Sequence, residues 1–141
     1  LHSGHLAYFK AAKELGDKLV VGINSDEWLT RKKGRPFMPF QERAEIIKGL
    51  SIVDPIISFD DSDDTACGAI YKTLATHGNI KVIFANGGDR SKSNIPEMKF
   101  TDVEFSTAAR LMQKPSYYLP FFHSAIILCN VFSSDSYILA I

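Results

Sequence analysis

The sequence has few cysteines, no net charge and no long hydrophobic run, and each of these absences argues against a class of protein. Its 141 residues include only two cysteines, Cys67 and Cys129, which lie far apart and form no CxxC pair. This usage is typical of a reducing compartment, and we expect neither thiol to be catalytic. Net charge is also absent, because 16 basic and 16 acidic side chains cancel. A neutral chain lacks the electrostatic footprint of a protein that binds DNA or RNA.

A leader segment and long hydrophobic runs are lacking as well. No charged-then-apolar stretch precedes His2, so the sequence predicts no signal peptide. The apolar stretch 117–132 is interrupted by Pro120, His123 and Asn130, and it falls short of the roughly 20 residues that a spanning helix needs. We therefore expect a cytoplasmic protein that binds neither nucleic acid nor a membrane.

Two kinds of hydrophobic pattern alternate along the chain. Apolar residues at helical spacing predict three helices, over about 8–15, 40–50 and 65–77, with Asp64 as the N-cap of the third. Short continuous apolar runs predict buried parallel strands at 19–23, 56–59 and 81–85. Residues 31–36 are interpreted as a basic turn. The predicted fold class is therefore α/β, with a Rossmann-like, doubly wound parallel sheet that binds ligands at the carboxyl ends of its strands.

The composition of the chain changes after residue 105. Residues 106–141 contain only three charged side chains, Arg110, Lys114 and Asp135, and they show no clear period. Three interpretations remain open: a divergent end of the domain, a membrane-seeking tail, or a segment translated out of frame, which the composition favours. We predict one domain over 1–105 and an atypical apolar tail, out of frame or disordered, over 106–141.

His2-Ser3-Gly4-His5 is the first segment whose residues suggest a functional site. A helix beginning near Gly4 presents free backbone N–H groups and the positive end of its dipole, which together bind anions. Gly4 leaves room for a phosphate against the backbone. His2 and His5 can donate hydrogen bonds to a phosphate that gains charge during displacement. A helix start that merely contains two histidines is the alternative, since so short a motif also arises by chance.

Further motifs follow in a fixed order. They are Gly16-Asp17 with the strand that leads to Asn24-Ser25-Asp26, then Lys32-Lys33-Gly34-Arg35-Pro36, Gln41-Glu42-Arg43, Val53-Asp54 and Asn86-Gly87-Gly88-Asp89. Together with the HxGH segment, this order resembles the nucleotidylyltransferase superfamily. It is most similar to the heptose-phosphate adenylyltransferases, followed by the glycerol-3-phosphate cytidylyltransferases. The resemblance covers roughly residues 1–98, and an ordered set of motifs is far more specific than any one of them.

The resemblance implies an activity and a set of site residues. The activity is transfer of a nucleoside monophosphate from CTP or ATP to a sugar or polyol phosphate, with release of pyrophosphate. Mg²⁺ would be bound mainly through the nucleotide, without dedicated metal ligands on the protein, and association of two copies is left open. The catalytic residues would be His2, His5, Lys32 and Lys33. The nucleotide-binding residues would be Ser3, Gly4, Asn24, Asp26, Arg35, Arg43, Gly87, Gly88, Asp89, Ser106 and Thr107.

Several of these assignments have a structural alternative. Lysines such as Lys32 and Lys33 in a basic turn are often only solvated, and so is an acidic run such as 60–64, which otherwise suggests Mg²⁺. Gly87-Gly88 lets the backbone approach a ligand, or simply forms a tight turn that Asp89 caps. Arg43 begins the apolar stripe of a helix, and a buried guanidinium needs an anionic partner. We favour a nucleotide phosphate over an internal carboxylate such as Glu42 or Asp26.

Two elements of the similar family are not matched. Its members place a strand just before the first histidine, whereas this sequence begins one residue ahead of His2. We therefore expect the first, central strand to be missing and apolar sheet edges to be exposed. The family also carries a Gly-Ile-Ser-Ser/Thr-type motif, for which Phe105-Ser106-Thr107 is the nearest candidate.

These departures leave a non-catalytic nucleotide-binding fragment as the alternative function. A piece of a class I aminoacyl-tRNA synthetase shares an HxGH-like motif. The neutral charge and the absence of a Lys-Met-Ser-Lys-Ser element argue against it.

Overall fold

The computed structural model of the chain describes residues 3–78, 80–86, 96–107 and 125–130, without the side chains of 86, 106, 107 and 125–130. Four α-helices lie in these ranges: α1 (Ser3–Lys13), α2 (Asp26–Lys33), α3 (Phe40–Lys48) and α4 (Cys67–His77). The strands are β1 (Lys18–Ile23), β2 (Ile56–Ser58), β3 (Lys81–Asn86), β4 (Val103–Thr107) and β5 (Ala125–Asn130). A 3-10 helix at Pro96–Lys99 precedes β4.

The five described strands form one parallel sheet in the order β2-β1-β5-β3-β4. From β1 the chain moves outward to β2 on one side, and from β3 it moves outward to β4 on the other. The strand order therefore reverses between β1 and β3, which is where β5 lies. Parallel strands accompanied by helices confirm the predicted α/β class.

Alternate residues of the strands pack into two separate hydrophobic clusters, because successive side chains of a strand point to opposite faces of the sheet. Leu19, Val21 and Ile23 of β1 pack with residues of α1 and α3. Val20, between them, packs with residues of α2 and α4. Burial on both faces explains why β1 is a continuous apolar run rather than an alternating one.

Helix α2 was not predicted, since its last turn was interpreted as part of a basic turn. The Ser25 side chain caps this helix by accepting a hydrogen bond from the Trp28 N–H at 3.0 Å. Two acidic residues occupy its first turn and three basic residues its last, the arrangement that suits the helix dipole. The capping signal was therefore present in Asn24-Ser25-Asp26, a segment interpreted as the end of a strand and as part of the nucleotide site, but not as a helix start.

The predicted N-cap of α4 is wrong. The helix begins at Cys67, and its N-cap residue Ala66 provides no side-chain hydrogen bond. Asp64 instead has a left-handed backbone with φ of 61°, which an aspartate tolerates better than most residues. The buried carboxylate of Glu97 accepts a hydrogen bond from the Ala66 N–H at 2.6 Å. A residue 31 positions away thus stabilises this helix start, which local sequence cannot reveal.

Strand β5 comes from the segment predicted to be an atypical tail. It pairs with β1 on one side, where Gly22 lies opposite Asn130, and with β3 on the other, where Asn86 lies opposite the same residue. The central place that the resemblance gives to a strand ahead of His2 is therefore taken by β5, and the expected exposed edges of β1 and β3 are covered. Residues 125–129 are continuously apolar, which is the pattern of a central strand.

Within the described parts of the chain, no helix combines the length and hydrophobicity needed to cross a membrane.

Truncation of the chain tests the contribution of β5 to the stability of the sheet. We expect that removing residues 108–141 abolishes the cooperative thermal unfolding transition, because β1 and β3 both lose the strand between them. Circular dichroism during heating measures this. Removing only residues 131–141 retains β5 and is the matched control, which should unfold cooperatively. An unchanged transition in the longer truncation would contradict the strand order.

Asp54 joins the end of α1 to the start of β1. Its Oδ2 accepts hydrogen bonds from Lys13 Nζ and from the Leu19 N–H, both at 2.7 Å. Partial burial alone would raise the pKa of Asp54, but the hydrogen bonds from Lys13 and Leu19 and the lysine charge outweigh it and leave the pKa lowered. The charged carboxylate therefore stabilises the folded state.

Replacing this residue should make stability less dependent on pH. A lowered pKa contributes stability above the pKa of the unfolded chain, and this contribution disappears as the pH falls through the folded value. We expect Asp54→Asn to cost about 0.5–1 kcal/mol at pH 7, as for a partly exposed pair, and to cost progressively less in the acid range. Urea unfolding at several pH values measures the difference. Glu45→Gln, which removes an exposed pair at 4.0 Å, should show almost none.

Candidate functional site at the carboxyl edge of the sheet

The turn between β1 and α2 is held by a buried carboxylate. Asp61, from the loop after β2, accepts hydrogen bonds from the Asn24 side-chain amide at 3.1 Å and the Ser25 N–H at 2.8 Å. It also accepts one from the Ser25 hydroxyl at 2.7 Å. Asn24 and Asp61 are both buried. The side chain of Asn24, which was predicted to bind nucleotide, therefore has a hydrogen-bond partner within this protein, Asp61.

Asp61 was missed because the acidic run 60–64 was interpreted as a solvated loop. That interpretation is wrong for Asp61, which is only 4% exposed. Close packing brings this loop against α4: a side chain at Gly68 would place its Cβ 2.5 Å from the Asp60 carbonyl oxygen. The loop after β2 is thus fixed from two directions, and it in turn fixes the end of β1.

Arg43 is fully buried and has internal partners on all three guanidinium nitrogens. Its Nε donates to the Met38 carbonyl at 3.1 Å, one terminal nitrogen donates to the Asn24 carbonyl at 2.8 Å, and the other forms an ion pair with Asp26. Asp26 also accepts a hydrogen bond from the Phe40 N–H at 3.0 Å. The structure thus shows the internal-carboxylate alternative for Arg43, so a phosphate is not needed to explain its burial.

The start of α1 lies near the end of β3. The Tyr8 hydroxyl donates to the carbonyl of Ala85, the penultimate residue of β3, at 2.7 Å. His5 precedes Tyr8 by three residues, so it shares the same helix face one turn nearer the N-terminus. It is 6% exposed. Gly4 is half-buried and Ser3 is exposed. The predicted anion-binding helix start therefore lies at the carboxyl edge of the sheet.

Lys32, a predicted catalytic residue in α2, and its neighbour Arg31 lie toward the loop after β2. Lys32 Nζ is 3.0 Å and an Arg31 terminal nitrogen 3.3 Å from the carboxylate of Asp64. The hydrogen bond from Lys32, followed by that from Arg31, keeps the pKa of Asp64 below its ordinary value. Lys33 and Arg35 are exposed.

A cavity of about 300 Å³ opens beside this network, at the carboxyl ends of β1 and β2. Its apolar lining consists of Ile23, Phe40 and Phe59, and its polar lining of Ser25, Asp26, Glu27 and Ser58. Of these residues, only Asp26 was predicted from the sequence to belong to a site. Ser25 belongs to the same motif but was assigned no role, and the remaining lining residues belong to no motif.

Several predicted site residues cannot be placed. His2, Gly87, Gly88 and Asp89 lie outside the described residues. Ser106 and Thr107 belong to the end of β4, opposite Ala85 and Asn86, but their side chains are not described. Among the residues that are described, no three His, Cys, Asp or Glu side chains are grouped so as to hold a metal ion.

Comparison with known proteins identifies the family. The family model described as cytidylyltransferase-like matches residues 1–128. The chain belongs to the cytidylyltransferase-like family. The match runs past residue 105, so it includes part of the predicted tail and the first residues of β5. No solved structure matches this cytidylyltransferase-like chain.

Curated relatives support the same assignment. The bifunctional protein HldE of Actinobacillus succinogenes is 38% identical over 106 residues, which covers 67% of this chain and 22% of that protein. HldE of Vibrio atlanticus is 38% identical over 97 residues, covering 67% of this chain and 19% of the relative. HldE of Escherichia coli is 35% identical over 102 residues, covering 63% and 21%. The chain therefore spans about a fifth of the length of these relatives and is similar to one part of them.

Replacement of Arg43 distinguishes a role in folding from a role in nucleotide binding. We expect Arg43→Met to lower stability by about 2–3 kcal/mol, since it removes the buried partner of a partly exposed carboxylate, and urea unfolding measures this loss. Arg35→Met, at an exposed position, is the control and should have little effect on stability. Unchanged stability together with weaker CTP or ATP binding would show instead that Arg43 acts on the ligand.

Proposed function

We propose that this chain is a nucleotidylyltransferase that transfers a nucleoside monophosphate from CTP or ATP to a sugar or polyol phosphate and releases pyrophosphate. The main structural support is the hydrogen bond from Tyr8 to Ala85, which holds the start of α1 at the carboxyl end of β3. The helix start then lies beside the reversal of strand order. Ligands of open α/β sheets bind in the crevice at such a point.

The arrangement of helices supports the same proposal. Residues of α1 and α3 pack into one cluster and residues of α2 and α4 into the other. We therefore infer a doubly wound, Rossmann-like sheet. In such a sheet, the N–H groups at the start of α1 and the His5 side chain in its first turn would lie beside the triphosphate.

The proposed reaction is a single in-line displacement. A phosphate oxygen of the acceptor attacks the α-phosphorus, the bond from that phosphorus to the β-phosphate oxygen breaks, and pyrophosphate leaves with its electron pair. No covalent enzyme intermediate is required, so catalysis comes from positioning and from stabilisation of developing charge. His2 and His5 would donate hydrogen bonds to the phosphates, and Lys32 or Lys33 would add positive charge.

Mg²⁺ would be coordinated by the phosphate oxygens of the nucleotide and would offset their negative charge. Asp26 and Asp61, the carboxylates beside the end of β1, already accept hydrogen bonds from protein donors. The metal would therefore be held mainly through phosphate oxygens and not by these two side chains.

The proposal predicts the effect of removing either imidazole. We expect His2→Ala and His5→Ala to reduce turnover by about 100-fold or more, the usual cost of losing a hydrogen-bond donor to transition-state charge. Release of pyrophosphate from CTP and from ATP, with glycerol 3-phosphate and hexose or heptose 1-phosphates as acceptors, measures turnover. His77→Ala, at the end of α4, is the control. Turnover near that of the unaltered chain in both variants would refute the assigned roles.

Calorimetry with CTP and ATP distinguishes the alternative function. Nucleotide binding without pyrophosphate release by the unaltered chain would support a non-catalytic nucleotide-binding fragment. Pyrophosphate release that depends on the acceptor would exclude that alternative.

A further inference from the structure

The cavity at the ends of β1 and β2 has an unusual charge for a site beside phosphate chemistry. Two carboxylates, Asp26 and Glu27, line it, and no lysine, arginine or histidine is among its lining residues. Arg43 compensates the charge of Asp26, and the exposed carboxylate of Glu27 disfavours a phosphate dianion close to it. Carboxylates accept hydrogen bonds from hydroxyl groups, however, and the Ser58 hydroxyl can both donate and accept them. The polar lining therefore suits an uncharged ligand that carries several hydroxyls.

One wall of the cavity is fixed before any ligand binds. The Asp26 carboxylate is held by Arg43 and by the Phe40 N–H. The Arg43 guanidinium also lies 5.5 Å from the centre of the Phe40 ring, a distance at which the cation and the ring attract each other. Arg43 thus orients both a polar and an apolar lining group, and such preorganisation lowers the cost of binding.

The position of Phe59, another residue that lines the cavity, depends on a glycine. The Phe59 ring lies against Gly22 of β1, where a Cβ would be only 3.3 Å from the ring carbon Cε1. Phe59 and Phe40 together contribute aromatic surface to the lining. A sugar or polyol matches this combination, because its C–H groups pack on apolar surface while its hydroxyls bond to carboxylates. A volume of about 300 Å³ lies at the lower end of the range for small-ligand pockets.

The cavity is also close to the proposed phosphate site. Its residue Ile23 ends β1, and the strand beside β1 is β5, which occupies the reversal of strand order. Neighbouring strands are about 4.8 Å apart. In this proposal, a ligand in the cavity extends a phosphate group toward the start of α1 while its uncharged part stays in the cavity.

We propose that this cavity binds the hydroxyl-bearing part of the acceptor, with Glu27 as a specificity-determining residue that accepts hydrogen bonds from the acceptor's hydroxyls. The inference rests on the proposed nucleotidyl transfer and specifies its acceptor: an uncharged polyhydroxyl body whose single phosphate points away from the Glu27 carboxylate. Glu27 is exposed in the first turn of α2, so its replacement leaves the packed core intact.

Steady-state kinetics of Glu27→Ala test this inference. The acceptor is whichever of glycerol 3-phosphate and the hexose or heptose 1-phosphates supports the fastest pyrophosphate release, and methyl phosphate serves as an acceptor without hydroxyls. We expect the KM for the hydroxylated acceptor to rise about tenfold or more, as for loss of a hydrogen bond to a charged group. The KM for the nucleotide and the kcat/KM for methyl phosphate should stay within about twofold of those of the unaltered chain.

Two further variants separate the hydroxyl contact from a general disturbance. Glu27→Gln keeps a hydrogen-bond acceptor at this position and should recover part of the acceptor KM. Glu14→Ala removes an exposed carboxylate just beyond the opposite end of α1 and should change neither KM. An unchanged acceptor KM in Glu27→Ala, or an equal loss with methyl phosphate, would overturn the proposal while leaving nucleotidyl transfer intact.

Failure of the proposed function has a different signature. If the unaltered chain releases no pyrophosphate with any acceptor, nucleotidyl transfer fails, and the cavity is tested by binding alone. Titration with millimolar glycerol 3-phosphate should then shift the backbone amide NMR signals of Ser25, Glu27 and Ser58 more than those of α4. The absence of such shifts would overturn the assignment of the cavity.

Discussion

The carboxyl end of β1 depends on two buried charged side chains that approach it from different parts of the chain. Arg43 donates to the Asn24 carbonyl and pairs with Asp26, while Asp61 accepts from the Asn24 amide and from Ser25. A buried charge is stable only when its hydrogen-bonding capacity is met, so each group constrains where the others lie. This shared constraint sets the starts of α2 and α3 and the shape of the cavity between them.

The same network divides the carboxyl edge into two chemically different regions. Toward β3 lies the start of α1, whose N–H groups and buried His5 form the proposed anion site. Toward β2, Asp26 and Glu27 line a cavity that suits hydroxyl groups. An acceptor that carries a phosphate at one end and hydroxyls at the other matches both regions at once. The separation of charge along one sheet edge is thus what connects the fold to the proposed reaction.

Local patterns predicted the parts of the structure that depend on local physics. The continuous apolar runs of β1 and β3 and the helical spacing in α3 and α4 indicated the α/β class, because periodicity reports which faces are buried. The ordered motifs indicated the family. The partner of Arg43 could not be decided in the same way, since phosphate and carboxylate satisfy a guanidinium equally well. The burial of Asp61 and the cap provided by Glu97 depend on residues far apart in sequence, and no local signal identifies them.

Strand β5 was the largest departure from expectation, and its position has a consequence for how the protein folds. β1 ends at Ile23, whereas the strand that pairs with it begins at Ala125. During folding, the facing edges of β1 and β3 therefore stay unpaired until residues 125–130 are in place between them. Contacts between such distant segments form slowly, and partly formed sheets with open edges tend to aggregate. Addition of β5 is thus the step that removes these open edges and the exposure to aggregation that comes with them.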